Sequence, residues 1–279
     1  MADRICIVTG ASSGIGFETA KLLAQNGERV YAAARRLDKM EPLKEFGVVT
    51  VEADVTKEEE LFALIDKALS ENGKIDVLIN NAGYGLYGAV EEVSMGAAKA
   101  QFEVNFFAAA NAAKAVLPHM RKQKSGLIIN VTSIAGKIYT PMGSYYHASK
   151  HALEGLSDCL RVEAKQFGIK VVMIEPGLIS TSWSGIMFDN LETDSELTAY
   201  YETAKGVEGM YKGFKYSHPS VIAKTILKAV KSKRPKARYR AGKYADLFVI
   251  AHALCPTRLY DMIMKFTVKN GYQSEERNR

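Results

Sequence analysis

The chain has only three cysteines, Cys6, Cys159 and Cys255, among its 279 residues. Their odd number, wide spacing and lack of a C-x-x-C pair argue against both a disulfide framework and a zinc site. No metal is expected, and a reducing cytoplasm is the expected compartment. No leader peptide is expected, because "MADRICIVTG" passes straight into a strand pattern. Long apolar runs are missing too: "LFVIAHALC", near the C-terminus, is too short to cross a bilayer. Internal repeats and low-complexity tracts are absent, and no linker precedes Pro176.

Charge is less restrictive. Lys and Arg total 37 against 31 Asp and Glu, a net charge of +6, but the cations are spread along the chain. Without a concentrated basic stripe, nucleic acid is not an expected partner. A phosphate-bearing cofactor needs only a few of these charges. With 47% hydrophobic and 24% charged residues the composition is that of a folded globular protein. Its length suits one large α/β domain.

Apolar, β-branched runs recur at "ICIVT", "RVYAAAR", "VVTVEAD", "DVLINNAG", "GLIINVTS" and "KVVMIEP". Segments of helical spacing, such as "GFETAKLLAQNG", separate them. Runs that are apolar on both faces suit buried parallel strands. The alternation predicts a Rossmann-type, doubly wound parallel sheet of about seven strands flanked by helices. One domain over 1–279 is expected, with a dinucleotide-binding and catalytic core at 1–181. Residues 182–217 are rich in Trp, Tyr, Phe and Met, and read as either a substrate cover or a structural helical insertion. The position of ligands beyond strand C-termini favours the cover. Residues 218–279 supply a last strand at "RPKARYRAG" and an apolar helical tail from Tyr244.

"TGASSGIG", Thr9 to Gly16, leaves the first strand and opens the first helix. Gly10, Gly14 and Gly16 permit a tight turn and close backbone approach, and a helix N-terminus favours an anion. Gly10, Ser12, Ser13, Gly14, Ile15 and Gly16 are thus the candidate pyrophosphate loop. At the end of the second strand an NAD enzyme usually carries an acidic residue. Here Ala34 is followed by Arg35 and Arg36, and two guanidiniums suit a 2′-phosphate. Asp38 is the rival, but it lies beyond the arginines at the start of a helix. NADP(H) is the expected cofactor.

On a helical wheel "SYYHASKHALEGLSDCLRVEAKQFG" has three faces. His147, His151, Glu154, Asp158, Arg161 and Lys165 form a polar stripe, read as solvated, which demotes both histidines. Tyr145, Ala148, Ala152, Gly155 and Cys159 form a small-residue stripe suited to packing against another helix. Tyr146, Ser149, Lys150 and Leu153 lie on the core face, one helical turn placing Lys150 in reach of Tyr146. A free tyrosine is a poor base at neutral pH, and a nearby ammonium favours its phenolate.

With "NNAG" at 80–83, Asn105 in "FEVNFF", Ser133, Tyr146, Lys150 and "PG" at 176–177, the chain resembles the classical short-chain dehydrogenase/reductase family, in order and spacing, over roughly residues 3–181. The aromatic cover and "KHALEGL" are similar to its hydroxysteroid-dehydrogenase-like branch. The resemblance implies NAD(P)-dependent interconversion of a secondary alcohol and a ketone. It implies that Tyr146 exchanges the proton, Ser133 steadies the substrate oxygen, and Lys150 tunes Tyr146 and anchors the ribose. Asn105 would hold a relay water through its main-chain carbonyl. Asp54 and Val55 would meet the adenine; Asn81, Ala82 and Gly83 would line the adenosine ribose side. Pro176, Gly177, Ile179 and Thr181 would hold the carboxamide and pyrophosphate. Asn80 has a structural role as its alternative. The expected substrate is apolar, steroid- or retinoid-like, with a small ketone as the alternative; a non-catalytic NADP(H) sensor is the contrasting reading. Family resemblance and the small-residue face suggest a homodimer or homotetramer. Membrane contact through 244–269 is the less favoured use of the tail, which otherwise closes the site or packs on a partner subunit.

Overall fold

A computed structural model describes residues 3–181 and 198–277. Seven parallel strands form one sheet in the order β3-β2-β1-β4-β5-β6-β7. They are β1 (Ile5–Thr9), β2 (Arg29–Ala34), β3 (Val49–Glu52), β4 (Val77–Asn80), β5 (Gly126–Val131), β6 (Ile169–Pro176) and β7 (Arg238–Ala241). The central strands are buried along their length, as their two-sided apolar sequences require. The third run stops short of its expected end: β3 closes at Glu52, and Asp54 lies beyond the ladder. The order reverses between β1 and β4, which opens a crevice at the carboxyl ends of the strands.

The flanking helices are α1 (Gly14–Gln25), α2 (Glu58–Asn72), α3 (Met95–Phe102), α4 (Ala108–Gln123) and α5 (Ser144–Ala164). After β6 come α6 (Tyr201–Lys212), α7 (Ser220–Lys231), α8 (Ala245–Leu254) and α9 (Thr257–Arg277). One apolar layer lies on each face of the sheet. The first packs α1 and α7 on Val8, Val30 and Ile174; the second packs α2 and α4 on Ile7, Leu78 and Ile128. A third cluster, around Tyr87, Tyr146, Val207, Met210 and Tyr211, sits above the strand ends. Trp183, Met187 and Phe188 of the expected cover lie outside the described residues.

The polar stripe of α5 is not solvated throughout. His147 and Glu154 are buried, although His151 and Lys165 are exposed. For Glu154 the reason lies in β7, where Arg238 and Arg240, two residues apart, project from one face. Arg238 pairs with Glu154, Asp158 and the buried Glu175 of β6, and Arg240 pairs with Glu175 and Asp246. Lys137 adds a second cation 2.8 Å from Glu154. A wheel records the polarity of this stripe but not the cations that reach it from a strand far along the chain.

α6 and α9 pack backbone to backbone. A Cβ added to Gly209 would collide with the main chain of Gly271, and one on Gly206 with that of Val268. Both helices must shift to accept either. Gly209→Ala is therefore expected to lower stability by about 1–3 kcal/mol, read as a lower urea midpoint; an unchanged midpoint contradicts this close packing.

Candidate active site

At β1 the chain turns sharply through Gly10 (φ +68) and Gly14 (φ +56), both in the left-handed region that favours glycine. A Cβ on Gly10 would stand 2.7 Å from the Ala82 Cα, so the loop and the end of β4 touch through main chain. A side chain at Gly14 would press on the Thr181 methyl at 3.0 Å. Ser13 precedes α1 in an extended conformation and does not cap it through its side chain. First-turn N–H groups of a helix lack intrahelical acceptors and favour an anion, and Ser13, Gly14 and Ile15 line the crevice here.

Asn81 secures this corner. Its amide donates to the carbonyls of Thr9 (3.0 Å) and Gly10 (3.2 Å), while its own N–H donates to the Thr9 hydroxyl (3.0 Å). Asn80 has the structural role: its side chain donates to Asn130 Oδ1 at 2.9 Å and the Ala109 carbonyl at 3.2 Å.

Arg35 and Arg36 follow β2 and are exposed. Arg36 donates to the Ser12 hydroxyl at 3.1 Å, which leans it over the loop. Asp54 accepts from the N–H (3.0 Å) and hydroxyl (2.7 Å) of Thr56. Burial works to raise its carboxyl, but those bonds and the Arg35 charge hold it below the usual range. Asp38 begins a short 3-10 helix, set past the arginines.

Tyr146 and Lys150 occupy the buried face of α5. Lys150 Nζ donates to the Val131 carbonyl, the last of β5, at 3.0 Å. Burial brings its ammonium down to about 8, with the Glu154 charge opposing. Burial pushes the Tyr146 phenol up to about 12, and a hydrogen bond with Ser133 opposes this. Loss of solvent dominates at this phenol, and the Lys150 ammonium is engaged with a carbonyl. Ser133 caps the 3-10 turn that follows β5, accepting from the Ala135 N–H at 3.1 Å. Thr132 donates to the Ile174 carbonyl at 2.9 Å, a structural role.

Asn105 lies in a π-helical segment, Glu103–Phe107, between α3 and α4. Its side chain is held by both main-chain groups of Tyr84 and by the Ser149 hydroxyl, all within 3.0 Å. It sits behind Gly83, where an added Cβ would lie 3.1 Å from Asn105 Oδ1 and 3.5 Å from Lys150 Nζ.

One cavity of about 1130 Å³ joins the glycine turn to the buried face of α5. Its wall includes Gly10, Ser12, Ser13, Gly14, Ile15, Arg35, Arg36, Asp54, Val55, Asn81, Ala82 and Gly83. It continues past Ser133, Tyr146, Lys150, Pro176, Gly177, Ile179 and Thr181. Gly16 and Asn105 are the expected site residues outside this wall. Gly16 instead abuts the Gly10 carbonyl within the turn.

The wall also holds groups that the sequence reading demoted or passed over. His147 lines it with Thr140, Tyr87 and Tyr211 in a hydrogen-bonded row. Tyr87 and Tyr211 hydroxyls are 3.2 Å apart, Tyr211 and Thr140 3.4 Å, and Thr140 Oγ1 and His147 Nε2 3.0 Å. The Thr140 N–H donates to His147 Nε2 at 3.1 Å, leaving Nδ1 to donate to the Ala135 carbonyl. Burial lowers this imidazole to about 4, so it is neutral. Tyr211 belongs to the aromatic segment after β6, whose composition is a signal; Tyr87 has none. Beyond this row the wall is apolar, with Leu178, Met210, Phe214 and Phe248.

A family model described as short chain dehydrogenase matches residues 4–191. Two bacterial relatives are 35% identical. A "Probable short-chain type dehydrogenase/reductase VdlC" of Helicobacter pylori aligns over 95% of this chain and 97% of its own. A 3-ketodihydrosphingosine reductase of Bacteroides thetaiotaomicron aligns over 98% and 99%. Retinol dehydrogenase 8 of Bos taurus is 31% identical over 89% of this chain and 85% of its own. Among solved structures, a short-chain dehydrogenase from Streptomyces avermitilis superposes with TM-score 0.79 at 30% identity, covering 90% and 92%. A Thermococcus sibiricus alcohol dehydrogenase complexed with 5-hydroxy-NADP superposes at 0.71 and 25% identity, covering 86% and 97%. A Burkholderia phymatum short-chain dehydrogenase/reductase in complex with NAD superposes at 0.75 and 25% identity, covering 89% and 92%. The chain belongs to the short-chain dehydrogenase family of oxidoreductases.

Proposed function

We propose that this protein interconverts a secondary alcohol and a ketone on an apolar substrate of steroid or retinoid size, with NADP(H) as cofactor. The observation that carries this reading is the single cavity joining the glycine cradle to Tyr146, Ser133 and Lys150 and then to an apolar wall. The cradle fits a dinucleotide, since Gly10 and Gly14 line the cavity beside Ser12, Ser13 and Ile15 at the N-terminus of α1. A relative named for retinol, an apolar primary alcohol, matches this substrate in size and apolar character.

The dinucleotide, when bound, supplies or accepts the hydride. Arg35 and Arg36 would hold its 2′-phosphate, and the loop N–H groups its pyrophosphate. Asp54 and Val55 would meet the adenine, and Lys150 would anchor a ribose. In reduction, Tyr146 Oη donates its proton to the carbonyl oxygen, and the Ser133 hydroxyl steadies the charge that develops there. In oxidation, Tyr146 Oη receives that proton. Asn105, packed behind Gly83 near Lys150, would hold through its main-chain carbonyl a relay water that returns protons from solvent by way of Lys150. A neutral phenol is the donating form, and a group held near 12 stays neutral through the physiological range.

An NADPH-consumption screen against steroid, retinoid, quinone and short-chain ketones tests the substrate class; consumption with small ketones alone would favour the smaller substrate. Tyr146→Phe should cut kcat by about 10²–10⁴-fold while NADPH affinity, read by fluorescence titration, stays within about twofold. Near-normal turnover would sink the assignment.

Replacing Arg35 and Arg36 together by Ala should raise the KM for NADPH about ten- to a hundredfold, the worth of charge-assisted hydrogen bonds. The KM for NADH should barely move; equal effects on both cofactors would contradict 2′-phosphate recognition.

Oxidation needs the phenolate, so its kcat should climb as pH rises from neutral toward the Tyr146 value. Reduction uses the neutral form and should show no such climb. Initial rates at saturating substrate in both directions check this, and a flat oxidation profile contradicts it.

A further inference from the structure

The cavity has exposed lining residues at two ends, and the two rims differ in chemistry. One rim carries Arg35, Arg36 and Thr56. The other carries Leu247 and Ile263, from α8 and α9. Around this second opening both helices turn apolar side chains outward. Leu247, Ile250 and Leu254 recur at helical spacing on α8; Leu259, Met262, Ile263 and Phe266 do so on α9. Leu254 is 80% exposed and Phe266 65% exposed, and α8 buries only Ala245. An apolar surface this continuous on a folded protein marks a contact site.

Cations lie within the same stripe. Arg258, Lys265 and Lys269 are exposed on α9 and alternate with Met262 and Phe266 at spacings of one turn. Among the described residues none of the three forms an ion pair. The two acids between Ala245 and Lys269 are engaged, Asp246 with Arg240 and Asp261 with the Tyr139 hydroxyl. The rim is thus apolar and cationic. No described helix can cross a membrane, so contact with lipid would be at the surface.

We propose that the α8–α9 rim docks on an anionic lipid surface, so that an apolar substrate passes between bilayer and cavity without crossing water. Apolar side chains entering the acyl boundary, with Lys and Arg at the headgroups, are what such docking requires. A second copy of this chain fits less well. A two-fold contact sets a patch against itself, which would bring Arg258, Lys265 and Lys269 against their own kind and cover the opening.

Co-sedimentation of the full chain with phosphatidylglycerol–phosphatidylcholine vesicles, and with phosphatidylcholine alone, tests this without substrate or turnover. It therefore reads independently of the redox assignment. The protein should pellet with the anionic vesicles, less so at high salt. Leu254→Ser with Phe266→Ser should weaken partitioning by about tenfold or more, with NADPH binding and thermal midpoint retained as controls of the fold. Lys265→Gln with Lys269→Gln should reduce the preference for phosphatidylglycerol. Three results would overturn the proposal: a protein that stays in the supernatant, variants that pellet like the parent, or a serine variant that turns an oligomer into a monomer.

Discussion

The arrangement of the site hangs on one buried contact, the Lys150 ammonium against the Val131 carbonyl. An ammonium out of water is costly unless donors and acceptors are matched. This bond fixes the start of α5 over the tip of β5. Ser133, just past that tip, and Tyr146, one turn before Lys150, are thereby brought together. The carboxylate of Glu154, a turn further on, supports the charge and is itself held by Lys137 and Arg238. A chain of charges therefore runs from the last strand of the sheet to the centre of the cavity.

The same organisation gives the cavity its polarity. Its floor is main chain, since glycines at the β1 turn let the backbone of loop and strand approach. Its far wall is built by elements after β6 that pack by close helix contact and by aromatic side chains. The row from Tyr87 to His147 places neutral hydrogen-bonding groups inside that apolar wall. Burial has opposite effects on the two central groups, raising Tyr146 and lowering Lys150, because it penalises whichever form is charged.

Local signals were legible where period and turn chemistry coincide. The six quoted runs and "RPKARYRAG" are the seven strands, and "TGASSGIG" is the turn into α1. Lys150 on an otherwise apolar stripe marked the core side of α5. The polar stripe of the same helix misled, because burial of His147 and Glu154 depends on partners at Thr140, Ala135, Lys137 and Arg238. Asn105 was identified as a residue, yet its place behind Gly83 follows from a π-helical segment that no periodicity announces.

By itself the sequence determined the parallel sheet, the glycine cradle, the arginine pair after β2 and the Tyr146–Lys150 spacing. Each depends on neighbours within a few residues, or on a period the chain repeats. Only the tertiary structure decided which polar groups are buried, that burial dominates at the Tyr146 phenol, and that the cavity opens on an apolar rim at one end and an arginine rim at the other. Those outcomes depend on solvent exclusion by elements distant in the chain, which no local pattern encodes.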